Sequence, residues 1–511
     1  MILRWRLLAV CAVVAATIRI ASTWTIFTHT ADEPGHLACG MHYLRGDACV
    51  YEYAPLAHGA IAIGPWLAGA RPHGLARVPD EGLATLYERY GLYLTLARAG
   101  VLPFFWLACM VVYIWATRIS GEVAGAIAVC VFTLTPAVLA HAGLATADMA
   151  LTGCLGAAFL CCLYWSESPT QRWSVLCGAC IALAILAKFA ALGFLPAGLA
   201  FAVAFRFALT RKARLRLPLY PSAGVLLTAA LVFWAGYRFS FGRVSQLPFP
   251  IPAPQFFASI ALINSLNYTG LPGYLLGDYS ATGWWYYYEV VLAVKTPLAL
   301  LVLVGSGVMV TWVNRKTPWM TTPVALFLGV MVLGLFSQIN IGVRHILPVY
   351  LALSVIAALG VMRLFERQWS RAAAVLLFAW LIWSGAAKHP DYIAYFNELA
   401  GTHPETVVVD SDLDWGQDLN RLARRLHELG AKQIAYSTFF AIDLTRHGLP
   451  PVVPIDPVDP VPGWNAVSPT WWMLSRPDLA VAYNRDRFWI DDAQPVERVG
   501  AILLYMFPER K

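Results

Sequence analysis

The chain has 511 residues, of which 59% are hydrophobic and only 13% charged. That balance excludes a single soluble core and is expected of a protein that crosses a membrane several times. The formal charge of +7 is set aside as a nucleic-acid signal, because the basic residues sit in short clusters between apolar runs, where they orient a membrane protein.

The first apolar run follows Arg4 and Arg6 and continues to Phe27. It opens like a signal peptide but is long enough to span, and is read as a retained helix near 7–28. A helix rising about 1.5 Å per residue needs roughly 20 apolar residues to cross the hydrocarbon. On that measure further helices are predicted near 93–117, 121–141, 144–165, 173–189, 190–208, 219–239, 288–313, 320–338, 343–363 and 372–388, about 11 spans in all.

Arg4, Arg6, Arg118, Arg172, Arg206, Arg211, Lys212, Arg214, Arg216, Arg315, Lys316, Arg363, Arg367 and Arg371 then fall on one side, which the positive-inside rule makes cytoplasmic together with the N-terminus. The other side receives the long connections 29–92 and 240–287 and a polar tail, 389–511. After Lys388 the chain gains clustered charge and proline. "DLNRLARRLHELGAK" has helical spacing, with Leu419, Leu422, Leu426 and Leu429 on one stripe, between two strand-like runs, "TVVVDS" and "QIAYSTFF". The fold class expected is a polytopic α-helical membrane domain, 1–388, followed by a soluble α/β domain, 389–511, on the non-cytoplasmic side. There is no internal repeat.

Eight of the 10 cysteines lie inside apolar runs as small packing residues. Cys39 and Cys49 share the first long loop. In an oxidising compartment they close a small disulfide ring, with two free thiols as the alternative.

That loop begins "ADEPGHLACG", placing Asp32, Glu33 and His36 at the mouth of the first helix. A carboxylate near a low-dielectric boundary has its charged form disfavoured and its basicity raised, which suits it to take a proton from an alcohol. The competing reading is a helix cap, since Asp32 precedes Pro34 in a first turn. Other ionisable residues recur at the same ends of spans: Asp148, Lys188, Lys295, Arg344 and His345. Charges near mid-bilayer cost about 2.5 to 3.5 kcal/mol on insertion scales and so face a cavity or a partner. Taken singly, Lys188 and Arg344 are explained equally well by snorkelling to headgroups. As a set they point to a polar pocket.

Seven segments in order, "ADEPGHLACGMHYLRGD", "YEYAPLAHGAIAIGPWLAG", "HAGLATADMALTG", "LAILAKFAALGFLPAG", "YLLGDYSATGWWYYYEVVLAVKTPL", "NIGVRHILPVY" and "YIAYFNELAG" running on to "VVVDSDLDWGQDLNRLARRL", resemble the GT-C membrane glycosyltransferases, specifically glycosyltransferase family 39. The resemblance extends over nearly the whole chain. It implies a GT-C fold, a donor sugar on a polyprenyl phosphate, and inverting transfer to an acceptor hydroxyl at the outer face of a bacterial inner membrane, the tail lying in the periplasm.

It also maps a catalytic acid onto Asp32 with Glu33 beside it, acting on the acceptor hydroxyl. Arg344, whose planar fork suits phosphate oxygens, is the first choice for the leaving phosphate, followed by Lys188, Lys295 and His345. Glu52 and Asp148 are second-tier acids. No cofactor or metal is required if those cations suffice. Partners would be the lipid-linked sugar and a protein, lipid A or glycan acceptor.

Where many relatives read "NPEHPPL", this chain has "VYEYAPL", with Tyr53 and Ala54 replacing His and Pro. A non-catalytic glycolipid binder therefore stays open as an alternative, as does a transporter, although that class favours broken helices and paired repeats, neither of which is read here. The aromatic run Gly283 to Tyr288 is read as an interfacial anchor at Trp285 and Tyr286, and the 240–287 loop as a cover for the pocket. "DSDLDWGQD" carries Asp410, Asp412, Asp414 and Asp418 but lacks the Gly and terminal Glu of an EF-hand, and is read as a turn before a helix, with room for acceptor recognition.

Overall fold

The computed structural model describes residues 2–49, 54–210, 219–244, 248–317 and 319–508. Among the described residues six helices are long and apolar enough to cross a membrane: Leu3–Thr23, Tyr90–Ser120, Asp148–Glu167, Ala191–Leu209, Val349–Glu366 and Gln368–Ala387. Two more candidates are bent pairs, Glu122–Leu134 with Pro136–Ala142 at 70° and Tyr287–Lys295 with Leu298–Val313 at 110°, so six to eight spans meet the length criterion. Three shorter apolar helices, Gln171–Ala187, Tyr220–Gly236 and Thr322–Gly334, occupy the remaining predicted positions.

The two breaks correct the expectation of unbroken helices. Each falls at a Thr–Pro step, Thr135–Pro136 and Thr296–Pro297, where the ring removes a backbone donor and pushes the preceding residue out of the helical region. Thr135 and Thr296 accordingly have extended backbone, with ψ of 118° and 129°.

Helices approach closely where glycine leaves room. A Cβ on Gly307 would come within 1.9 Å of the Ile356 carbonyl, and one on Gly360 within 2.2 Å of the Leu303 carbonyl. Helix Leu298–Val313 therefore lies backbone to backbone on Val349–Glu366, the small-residue packing that replaces hydrophobic drive inside a bilayer.

The loop after α1 (Ile2–Thr23) folds into α2 (Glu33–Arg45), α3 (Pro55–Leu67) and α4 (Val78–Glu88). Residues Glu33 to Met41 of α2 are buried, so it is not a surface helix, and Asp32 stands at its N-cap position without bonding a helix amide. Cys39 and Cys49 are joined by a disulfide.

Beyond Ala387 the tail carries a five-stranded sheet in the order Val452–Val453, Ile434–Ser437, Gly463–Val467, Ile502–Phe507, Glu497–Val499. Ile434–Ser437 pairs in parallel with both neighbours and the other two pairings are antiparallel. The helix forms over Leu419–Glu428 with Leu419, Leu422 and Leu426 buried beneath the sheet. "QIAYSTFF" supplies a strand, but "TVVVDS" does not: Val408 makes one isolated bridge to Leu275. Val408 and Val409 are 1% exposed, and their burial serves contact with the membrane domain rather than a ladder.

Candidate active site

The site is built from three segments distant in sequence. The first is the turn leading into α2. The second is the single 3-10 turn Val343–Ile346, before helix Val349–Glu366. The third is the tail loop 410–418.

The tail loop holds the other two in place. Residues 28–31 pair with it edge to edge: Thr28 N donates to the Gln417 carbonyl at 3.0 Å, Ala31 N to the Trp415 carbonyl at 3.1 Å, and the Thr28 hydroxyl to the Gly416 carbonyl at 2.8 Å. On the other side Asp412 accepts the Val343 amide through both oxygens, at 3.1 and 3.3 Å, and Ser411 donates to the Ile341 carbonyl at 2.6 Å. Gly342 makes this approach possible. Its φ is +82°, and a Cβ there would meet Ser411 Oγ at 2.6 Å and Asp412 Oδ2 at 2.9 Å. The chemistry of "DSDLDWGQD" is therefore that of a clamp, and Trp415 and Asp412 are site-forming residues that the sequence reading took for a turn.

Within the clamp Arg344 Nη1 donates to Asp32 Oδ2 at 2.5 Å. Its Nε donates to the Ile341 carbonyl at 3.1 Å, and the guanidinium lies 4.2 Å from the centre of the Trp415 ring. The Arg344 side chain is 8% exposed and that of Asp32 29%, so the carboxylate is the accessible member of the pair. Burial pushes the Asp32 carboxyl up, but the charges of Arg344 and His36 outweigh it and leave the group below its ordinary value. Burial at the membrane boundary, the basis for expecting a raised carboxyl, is present, but the guanidinium reverses the sign of the resting shift.

Glu33 turns away from this pair. Arg98 grips it with two bonds of 2.8 Å, and the amides of Thr30 and Ala145 add bonds of 2.8 Å each. Both side chains are 1% exposed. Burial raises the Glu33 carboxyl, but Arg98 and the amide bonds together outweigh it, and the group stays ionised below its ordinary value. Arg98 lies inside an apolar run and was not singled out from the sequence; the rule that a charge within a span marks a partner would have found it.

A second ion pair completes the polar layer. Lys188 Nζ donates to Asp148 Oδ1 at 2.7 Å, and Thr146 donates to Asp148 Oδ2 at 3.1 Å. His141 and His345 share the electrostatic field of Asp148, Lys188 and Arg344. Nδ1 of each is buried without a hydrogen-bond partner among the described residues. His345 stacks on Tyr288 at 5.6 Å and meets Phe194 edge-on at 6.1 Å.

Lys295 is elsewhere. Its ammonium donates to the carbonyls of Ile393 and Asp412, both at 2.6 Å, and sits 4.2 Å from the centre of the Phe396 ring. It fastens the tail to the helices, with two of its three N–H donors committed to carbonyls. Glu52 lies outside the described residues. In the aromatic run, Tyr287 and Tyr288 point inward while Trp285 is 68% exposed. Thr282 to Trp285 and Leu335 to Gln338 line a cavity of about 350 Å³ that none of Asp32, Arg344, Asp148 and Lys188 lines.

Eleven apolar segments, a tail sheet and a carboxylate–guanidinium pair clamped at one end of the bundle define a multi-pass membrane protein of GT-C fold. In structure it is similar to ArnT from Cupriavidus metallidurans. With undecaprenyl phosphate bound, that protein matches at 15% identity over 97% of both chains, with a TM-score of 0.51. Its apo state matches at 14% identity over the same coverage, with a TM-score of 0.52. The Archaeoglobus fulgidus oligosaccharyltransferase tethered with an acceptor peptide matches 74% of this chain and 54% of its own at 14% identity and a TM-score of 0.50.

In sequence, residues 9–241 match the dolichyl-phosphate-mannose-protein mannosyltransferase family, a stretch that takes in Asp32, Asp148 and Lys188 and stops before Arg344. The resemblance to the GT-C glycosyltransferases is thereby borne out. No curated protein matches significantly.

Proposed function

We propose that the chain is an inverting glycosyltransferase that moves a sugar from a polyprenyl phosphate to an acceptor hydroxyl at the non-cytoplasmic face of a bacterial inner membrane, with its tail in the periplasm. The observation that carries this reading is the contact between Asp32 and Arg344, a base and an anion-binding fork brought together from opposite ends of the membrane domain. The undecaprenyl phosphate bound by ArnT supports the donor class.

In this scheme the resting ion pair is a latch. A phosphodiester that takes the Arg344 fork weakens its hold on Asp32, whose carboxyl then rises from its depressed value toward the range in which it can accept a hydroxyl proton. Asp32 deprotonates the acceptor while the phosphate leaves from the other face of the sugar, a contribution of about 10² to 10⁴ in rate. Arg344 and Lys188 meet the charge growing on the phosphate, so no metal is required, and His345 has Nδ1 available for a further hydrogen bond. Asp148 orients Lys188. Glu33 and Lys295 are assigned to structure.

The test is to incubate the purified protein with polyprenyl-phosphate sugars and envelope extract and to measure release of polyprenyl phosphate. Asp32→Asn should abolish turnover and leave donor binding intact. Turnover that survives in that variant would remove the base from the scheme. The two broken helices favour transport as the second reading. Donor carried across a proteoliposome without release of polyprenyl phosphate would establish it.

A further inference from the structure

We propose that the cavity walled by Thr282 to Trp285 and Leu335 to Gln338 is a carbohydrate subsite, which takes an uncharged sugar ring of the acceptor away from the reacting hydroxyl. The acceptor is then a glycan or a glycolipid. Sugar binding stands on the cavity alone, and its assignment to the acceptor rests on the proposed function.

The cavity of about 350 Å³ falls at the lower end of the range for small-molecule pockets, about 300–1,000 Å³. Two aromatic rings in its wall are largely open, Trp285 at 68% and Phe336 at 73%. Tyr286 meets Trp285 edge to face, with ring centres 5.4 Å apart, and steadies the indole. An interfacial anchor needs an open indole but no hollow beside it. The electron-rich face of such a ring attracts the weakly positive C–H face of a pyranose.

The same wall carries polar groups in want of partners. Among the described residues the Thr282 hydroxyl and the carbonyls of Leu335 and Phe336 make no hydrogen bond. In the amide orientation that pairs its nitrogen, Gln338 donates to the carbonyls of Asn267 and Tyr268 at 3.0 and 3.2 Å, which leaves its oxygen as an acceptor. Carbonyl and amide oxygens ask for O–H donors, which a sugar supplies.

Charge decides against a phosphate here. None of the eight residues lining the cavity is charged. Helix Thr322–Gly334 ends immediately before Leu335, so its C-terminal end, the negative end of its dipole, lies at the wall and repels anions. The lipid phosphate belongs with Arg344 and Lys188, and this hollow suits a neutral ligand rich in hydroxyls.

The walls are fixed before any ligand arrives. Gln338 N donates to Asn267 Oδ1 at 3.1 Å and the Gln338 carbonyl accepts Leu271 N at 3.3 Å, while Trp284 N donates to Asn340 Oδ1 at 2.7 Å. Gly283 permits that last contact, since its φ is +75° and a Cβ there would come within 2.1 Å of Asn340 Oδ1. The wall also leads to the reaction centre. Tyr288 bonds to the Ile339 carbonyl and stacks on His345 at 5.6 Å, and Gln338 lies six residues before Arg344, at most about 22 Å along the chain. A ring held here is a later unit of a saccharide whose reacting hydroxyl is at Asp32.

The test uses the full chain in phosphatidylglycerol nanodiscs with maltotriose, mannotriose and chitotriose as probes, binding being read by calorimetry and saturation-transfer NMR. At least one trisaccharide should bind, and inorganic phosphate should not displace it. Trp285→Ala should weaken that binding about tenfold, and Trp285→Tyr, which keeps an aromatic face, should restore most of the loss. Thr282→Val, the second exposed position, should weaken it about threefold. Binding of none of the three sugars, or binding unchanged in both Trp285→Ala and Thr282→Val, overturns the subsite. Binding of phosphocholine in place of the sugars makes the cavity a lipid-headgroup site and overturns it as well.

The acceptor assignment is read in turnover with a polyprenyl-phosphate sugar as donor and envelope extract as acceptor. Trp285→Ala should raise the extract concentration giving half-maximal rate about tenfold with donor KM unchanged, and the trisaccharide that binds should compete with the extract. An unmoved extract dependence overturns the acceptor assignment while the proposed function stands. A wild type that binds sugar at Trp285 but releases no polyprenyl phosphate ends the proposed function and the acceptor assignment with it, and leaves the subsite in place.

Discussion

Replacing Arg98 by Met removes the cation from the most enclosed ion pair among the described residues while keeping much of the side-chain volume. Arg98 gives Glu33 two bonds of 2.8 Å and the Thr28 carbonyl one of 2.8 Å, with both partners of the ion pair 1% exposed. Its loss leaves Glu33 with the Thr30 and Ala145 amides and the Thr30 hydroxyl as its donors and with a charge that water cannot reach. Removing one partner of a buried pair costs about 3–5 kcal/mol, because the other charge remains uncompensated. Neutralising the remaining acid should recover part of that, so Glu33→Gln in the Arg98→Met background should be more stable than Arg98→Met alone.

Thermal melting in detergent, followed by tryptophan fluorescence, reads the order directly: wild type highest, the double variant between, Arg98→Met lowest. Asp32→Asn should fall much less than Arg98→Met, because an amide oxygen at position 32 can still accept from Arg344, which also keeps the Ile341 carbonyl and the Trp415 ring, and because position 32 is open to water where Glu33 is not. Arg98→Met melting with the wild type, or Asp32→Asn falling as far as Arg98→Met, would refute the division of the acidic pair into one chemical and one structural member.

Asp410 has φ of +60°, and burial, then Asp32 and Asp412 against the pull of Arg344, raise its carboxyl to about 6 from 3.8. A carboxyl raised on folding contributes stability that is full below its unfolded value and is lost as pH rises through the folded one. Asp410→Asn should therefore match the wild type in melting temperature below about pH 4 and exceed it above about 6; a constant difference across that window would refute the assignment. Lys295→Met leaves the Ile393 and Asp412 carbonyls without their donor, a loss of about 1–3 kcal/mol for each orphaned group, and should speed hydrogen exchange across 410–418 more than in the helices. Gly342→Ala places a methyl where Asp412 and Ser411 stand and should lower kcat by displacing Arg344, with the sheet of the tail unchanged by circular dichroism.

Much of this protein is determined locally and was legible as such. Apolar runs with basic clusters between them placed eleven segments, because backbone groups in hydrocarbon must bond within their own helix whatever surrounds them. Leu419, Leu422 and Leu426 marked the tail helix by spacing alone. The positions of Asp32, Asp148, Lys188 and Arg344 were visible because a charge beside an apolar run has few inexpensive places to go.

What each charge touches could be decided only in three dimensions. Nothing local distinguishes Asp32 from its neighbour Glu33, yet one meets Arg344, 312 residues away, and the other Arg98. Val408 and Val409 have strand-like side chains but are buried against Leu275 and Tyr274 instead of in a ladder. The tail loop was read as a turn because its partners, residues 28–31 and 341–343, are contiguous with it only after folding. Periodicity reports which face of a segment is buried; ion pairing and clamping depend on which distant segment lies against that face, and only the packing of the whole chain decides that.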